Sequence, residues 1–171
     1  MGKMSKHIRG DGEHYRFLQE RSMRSRINRH FEVEFMLEHG AKLPWRARET
    51  DAGFDLHALE NVQISPHDIA YVRTGVHLMP PDGYFFYIAP RSGITKTGVL
   101  AIGGIIDAGY TGEILVPLHN TTDHAFIVHQ GDRVAQAVFL PILHPTFRDV
   151  QQFTVSDKNH RGPKGFGSSG R

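Results

Sequence analysis

Between Phe31 and Leu143 the chain is cut into short apolar-rich runs separated by residues that turn a backbone, and little of it reads as helix. FEVEFML, residues 31–37, alternates apolar and charged side chains over its first five positions, the period of a half-buried strand. ALENVQIS, IAYVRTGVHL, GYFFYIAP, GEILVPLHN, AFIVHQ and DRVAQAVFLPIL follow in the same style. Between them stand Pro66, Pro80-Pro81-Asp82-Gly83, Gly98, Gly103-Gly104, Asn120-Thr121-Thr122-Asp123 and Gly131-Asp132, all turn chemistry. Many short strands at regular spacing predict one all-β domain, a sandwich or jelly-roll-like barrel.

The length of 171 residues suits one core, and 39% hydrophobic content is enough to fill it. No apolar run approaches the ~20 residues that span a bilayer, so no membrane association is expected. A cytoplasmic or intracellular location follows as the expectation, with the nucleus open for a eukaryotic or viral source. The absence of cysteine excludes disulfides, thiolate metal ligands and a cysteine nucleophile. Charge is unevenly spread: residues 1–30 hold eight Lys or Arg against three acids, a formal +5, whereas 31–171 hold 12 against 15, a formal −3. The basicity therefore belongs to an N-terminal extension. It reads either as a solvated, flexible arm or as a segment that touches nucleic acid or a protein partner.

Five segments carry more than strand and turn. In DAGFDLHA, 51–58, Asp51 is ordinary turn chemistry, but Asp55 interrupts the alternation Phe54, Leu56, Ala58, where an acid needs a partner. APRSGI, 89–94, breaks a strand and presents a guanidinium, a hydroxyl and several N–H groups together, a plausible phosphate cradle. GGIIDAGYTGEI, 103–114, leads two β-branched residues into Asp107. That aspartate is either a hairpin turn residue or a carboxylate at a strand end that acts as a base on water, with Tyr110 to pack on a ring. In GDRVAQAVF, 131–139, Arg133 can pair with a carboxylate. RGPKGFGSSG, 161–170, is either an inert tail or a glycine-rich anion binder with Arg161 and Lys164 for charge and Phe166 for stacking.

Taken in this order, DAGFDLHA, APRSG, GGIIDAGYTGE, GDRVAQ and RGPKGFGSSG resemble the five motifs of the trimeric dUTP pyrophosphatase (dUTPase) family, over about residues 31 to 170. The resemblance implies a jelly-roll-like β-barrel and a homotrimer whose active sites draw motifs from more than one subunit. It implies hydrolysis of dUTP to dUMP and pyrophosphate, with Mg2+ spanning the triphosphate and water attacking the α-phosphorus in line. By motif match, Asp107 orients and deprotonates the water, and Asp55 holds waters of the hydrated magnesium. Arg91, Ser92 and Gly93 contact the phosphates, Ser92 polarises the breaking bond, and Gln136 holds a phosphate-bound water. The backbone of Gly104, Ile105 and Ile106 reads uracil, and Tyr110 packs under the deoxyribose and rejects a 2′-hydroxyl. Arg161, Gly167 and Ser168 reach the phosphates while Phe166 stacks on the base, so that the arm closes over bound nucleotide.

The implied organisation is a basic extension at 1–30, a barrel at 31–160 and a closing arm at 161–171. Two departures stand out: Ala101, Ile102 and Gly103 fill the region where some bacterial members carry an asparagine, and the tail has Gly-Ser-Ser-Gly where Gly-Ser-Thr-Gly is common. Deaminases of dCTP share the fold but carry a glutamate on the strand after the third motif, and the interior ILVPLH of that strand has no acid here. A non-catalytic trimeric nucleotide-sensing module is the remaining alternative, and the intact Asp107 speaks against it. The twelve histidines lack metal-ligand spacing; His57 and His119 lie nearest the motifs.

Overall fold

The computed structural model describes residues 31–152 and 154. The expectations for the 1–30 extension, and for Arg161, Phe166, Gly167 and Ser168 in the arm, lie outside the described residues. In chain order the strands begin β1 (Glu34–Leu37), β2 (Gly53–His57), β3 (Val62–Ile64), β4 (Ile69–Met79) and β5 (Tyr84–Ala89). A single helical turn, α1 (Ser92–Thr95), then leads to β6 (Val99–Ala101), β7 (Ile105–Ile106), β8 (Glu113–Asn120), β9 (Phe126–Val128) and β10 (Arg133–Pro141). Two four-stranded sheets, ordered β1-β4-β8-β6 and β2-β10-β5-β7, and the pair β3-β9 make up the architecture of the described residues. The pairings are antiparallel.

The alternation read from the sequence becomes burial. Along β8, Ile114, Val116 and Leu118 point inward and are fully buried, whereas Leu115 faces out. They meet Leu56, Phe86, Ile88 and Val134 from the other sheet in one apolar cluster. Each such side chain stabilises the fold by roughly 1.5–3 kcal/mol relative to exposure. Asn120, also buried, closes the turn after β8 by donating from its amide to the carbonyls of Ile64 (3.1 Å) and His124 (2.7 Å).

β1 departs from the expected half-buried pattern, since all four of its residues are exposed. It is an edge strand with β4 on one side, and the anchoring falls instead on the residues before it. Phe31 stacks on Tyr84 at 4.2 Å between ring centroids, and Val33 packs on the core. In β4 the pairing with β8 slips between Arg73 and His77, where Gly75 takes φ of 63°. That bulge shifts the C-terminal half of β4 relative to β8.

Candidate functional site

Asp55 sits on edge strand β2 with its carboxylate 13% exposed. Arg91, just past the end of β5, brings Nε to 2.7 Å from Oδ1, and Arg133, at the start of β10, brings Nη1 to 3.3 Å from Oδ2. The acid inside the apolar alternation thus has two partners, one of them the arginine that the sequence made available. β10 lies between β2 and β5, so Gln136 is in register with both Asp55 and Ala89. Its amide Nε2 donates to the Pro90 carbonyl at 3.0 Å, and its side chain lies over Gly53 so closely that a Cβ there would collide with it.

These residues line a polar pocket of about 380 Å³ together with Ser92, Asp51 and Arg46. Arg46 was not singled out by the sequence reading. Its guanidinium lies 5.0 Å from the centre of the Phe54 ring and donates to the Asp51 carbonyl at 3.2 Å, so it enters the pocket already oriented. It lies outside the five motifs, and the bridge between Trp45 and Asp55 sets it at the pocket. On the far side of Arg46 and Ala52 lies a larger groove of about 540 Å³, lined mainly by Phe31, Phe35, Phe54, Leu43 and Phe139. Apart from Arg46, which the two pockets share, its walls carry no charged side chain. The smaller, cationic pocket is the candidate site.

Three of the sequence motifs therefore meet around Asp55, Arg91, Ser92 and Gln136, whereas Gly93, next along α1, does not line the pocket. The residues expected to bind base and sugar do not join them within one chain. β7 pairs with β5 through Ile106 and Phe86, and Gln136 pairs with Ala89 on the opposite side of β5. Asp107 therefore lies about 16 Å from Gln136, four residues along and two strands across. Asp107 is exposed in the single chain, and so is Gly104. The loop after it is tightly made: Tyr110 N donates to the Asp107 carbonyl at 3.2 Å, and the Tyr110 hydroxyl donates to the Glu113 carbonyl at 3.2 Å. Its ring folds over Gly112, where a Cβ would strike it. Gly103 has a similar constraint, since a Cβ there would lie 2.5 Å from the Ile88 carbonyl and against the Tyr87 hydroxyl.

Glu113, the acid at the first position of β8, has both carboxylate oxygens engaged: Oε1 accepts from Gly75 N at 2.8 Å and Oε2 from Arg73 Nε at 3.0 Å. It holds the bulge and is not free to activate water at a base. His57 is buried beside Asp55, and among the described residues its Nδ1 has no hydrogen-bond partner. Burial, followed by the positive charge of Lys42, holds its pKa below the ordinary histidine value. His119 lies half-buried on β8. Among the described residues no three His, Cys, Asp or Glu side chains converge in a way that could hold a metal.

The dUTPase family model matches residues 39–170. The deoxyuridine 5′-triphosphate nucleotidohydrolase of Tropheryma whipplei (strain Twist) is 44% identical over 140 residues, covering 80% of this chain and 94% of the relative. Among solved structures, the dUTPase of Staphylococcus bacteriophage 80alpha with dUPNHPP superimposes with a TM-score of 0.74 at 30% identity, over 82% of this chain and 99% of that one. A mutant dUTPase from phage phi11 of S. aureus, described with the coordination of a structural Mg(II) ion, superimposes with a TM-score of 0.67 at 25% identity, over 73% of this chain and 100% of that one.

Proposed function

The chain belongs to the dUTPase family, and from that premise we propose how its residues divide the hydrolysis of dUTP to dUMP and pyrophosphate. The observation that carries the proposal is the separation of the Asp55–Arg91–Arg133–Gln136 pocket from Asp107 on the same sheet. One chain holds two incomplete halves of a site, and a second copy completes it. We assign the protein as a homotrimer with a jelly-roll-like barrel in each subunit.

The outer face of the β4-β8-β6 sheet supports that assembly. Ile69, His119 and Leu100 form one row across it, and Tyr71, Pro117 and Ile102 form the next. Tyr71 is 68% exposed in the single chain. Such a continuous apolar patch on a sheet face favours contact with other copies.

In the assembled site Arg91, Arg133 and Arg46 neutralise the triphosphate, and the Ser92 hydroxyl polarises the bond between the α-phosphorus and the oxygen bridging to the β-phosphate. Gln136, fixed by its bond to Pro90, holds a water on a phosphate. Asp107 of a neighbouring copy accepts a proton as water oxygen attaches to the α-phosphorus, and pyrophosphate leaves with the bridging oxygen. β7 is an edge strand, and although the Gly104 carbonyl accepts from Ile88 N, the backbone groups of Gly104, Ile105 and Ile106 not used in pairing with β5 meet the uracil edge. Tyr110, whose ring is pinned on Gly112, packs under the deoxyribose and leaves no room for a 2′-hydroxyl.

The donor set fits magnesium only in a particular way. Asp55 is a single carboxylate already shared by two guanidinium groups, so it suits a hydrated ion held through water, with substrate oxygens as its direct ligands. A magnesium ion held there would supply charge neutralisation to the phosphates. The C-terminal arm, with Arg161, Gly167, Ser168 and Phe166, closes over the nucleotide. Pyrophosphate release from dUTP, dCTP, dTTP and UTP with Mg2+ tests this reading in wild type and Asp107→Asn. Turnover of dUTP alone, nearly abolished in the variant, is expected; ammonia from dCTP, or no turnover of any nucleotide, overturns it.

A further inference from the structure

The loop that carries Asp107 and Tyr110 is held from outside by β4. His77 Nδ1 lies 3.0 Å from the Thr111 carbonyl, and Gly109 N donates to the Pro80 carbonyl at 3.1 Å. A carbonyl only accepts, so Nδ1 carries the proton in this contact. The other end of the ring, Nε2, lies 3.5 Å from Glu38 Oε1, and Glu38 is itself paired with Arg73. Arg73 also pairs with Glu113, which in turn accepts from Gly75 N. The bulge at Gly75 brings His77 into register with Glu113, at the base of the loop.

Glu38, Arg73 and Glu113 thus fix where β4 stands, and His77 is the side chain that reaches from it to the loop. We infer that His77 is a positioning residue for the hydrolysis: its Nδ1–H sets the height of the Asp107–Gly112 loop, and so the placement of the Asp107 carboxylate against the attacked phosphorus. The inference rests on the assignment of Asp107 above. It adds a residue outside all five motifs.

Two substitutions separate the hydrogen bond from simple packing. His77→Phe keeps a ring but removes the donor. His77→Asn removes the ring but keeps an N–H at nearly the same place. Steady-state kinetics with dUTP are to be measured on the full chain, beside wild type and Asp107→Asn, with melting temperature and size in solution recorded for each. We expect kcat to fall by about 10- to 100-fold in His77→Phe with KM little changed, because a displaced catalytic group costs rate rather than ground-state binding. His77→Asn is expected to stay within a few-fold of wild type.

Wild-type kcat in His77→Phe, or an equal loss in both variants, overturns the inference. A destabilised His77→Phe leaves the decision to His77→Asn, whose loss of rate in a folded protein also overturns it. Full activity of Asp107→Asn strikes the underlying assignment instead, and so separates the two failures.

Discussion

Arg91 Nε lies 2.7 Å from Asp55 Oδ1, joining the second residue past the end of β5 to the edge strand β2 across the breadth of β10. Arg133 takes the other oxygen, so the carboxylate holds two cations in place before any phosphate arrives. Charge-assisted pairs of this kind fix donor direction as well as distance.

Asp55→Asn therefore does two things at once. It frees both guanidinium groups and removes the charge proposed above to hold a hydrated cation. The Mg2+ concentration for half-maximal rate is expected to rise by about 10- to 100-fold, the range for loss of an outer-shell partner. Titrating the rate of dUTP hydrolysis with Mg2+ checks it, and an unchanged midpoint removes Asp55 from the metal's surroundings.

Gly53→Ala tests the seat of Gln136. The added methyl meets the Gln136 side chain, which is flexible and can swing away at the cost of its bond to Pro90. The melting temperature is expected to change little, because one part-exposed hydrogen bond contributes only about 0.5–1.5 kcal/mol. KM for dUTP is expected to rise several-fold, read by steady-state kinetics.

Gly103 and Gly104 are adjacent but predict different outcomes. A Cβ at Gly103 presses on the Ile88 backbone carbonyl, whereas one at Gly104 meets nothing within 4 Å in the chain. Gly103→Ala is expected to lower both stability and activity. Gly104→Ala is expected to melt like wild type yet lose kcat/KM, because the methyl would enter open space next to the strand proposed to read the base. Thermal melts beside kinetics decide the pair.

His57 makes stability depend on pH. Its folded pKa is held below the ordinary value of 6.5, mainly by burial, so the unfolded chain binds the proton more readily. The contribution is fully present above 6.5 and is lost as pH falls from there toward the lowered folded value. Melting temperature is expected to drop on acidification below 6.5, and His57→Phe is expected to flatten that part of the profile.

Much of this was legible in the chain because each residue had to satisfy a local demand. An acid between Phe54 and Leu56 needs a partner, and Arg133 beside a Gly-Asp turn is a natural one. The alternation of GEILVPLHN became the buried and exposed faces of β8. What escaped notice depends on contacts between distant strands. The covering of Gly53 by Gln136 arises only when β2 and β10 pair, and Arg46 enters the pocket beside the bridge between Trp45 and Asp55. FEVEFML alternates, yet β1 buries none of its four residues, and its Phe35 lines the open groove instead of the closed core. Motif order, moreover, says nothing of distance: Asp107 and Arg91, assigned above to one reaction, sit at different ends of one sheet.

Mixing two inactive variants tests that separation most directly. Asp107→Asn and Arg91→Ala each spoil a different half of the site. Refolded together at equal amounts, they are expected to recover about a quarter of wild-type dUTP hydrolysis, the share of sites in a cyclic assembly that draw an intact Arg91 from one copy and an intact Asp107 from its neighbour. A mixture no more active than the average of the two separate variants would contradict the shared site, since it would mean that both residues act from the same chain.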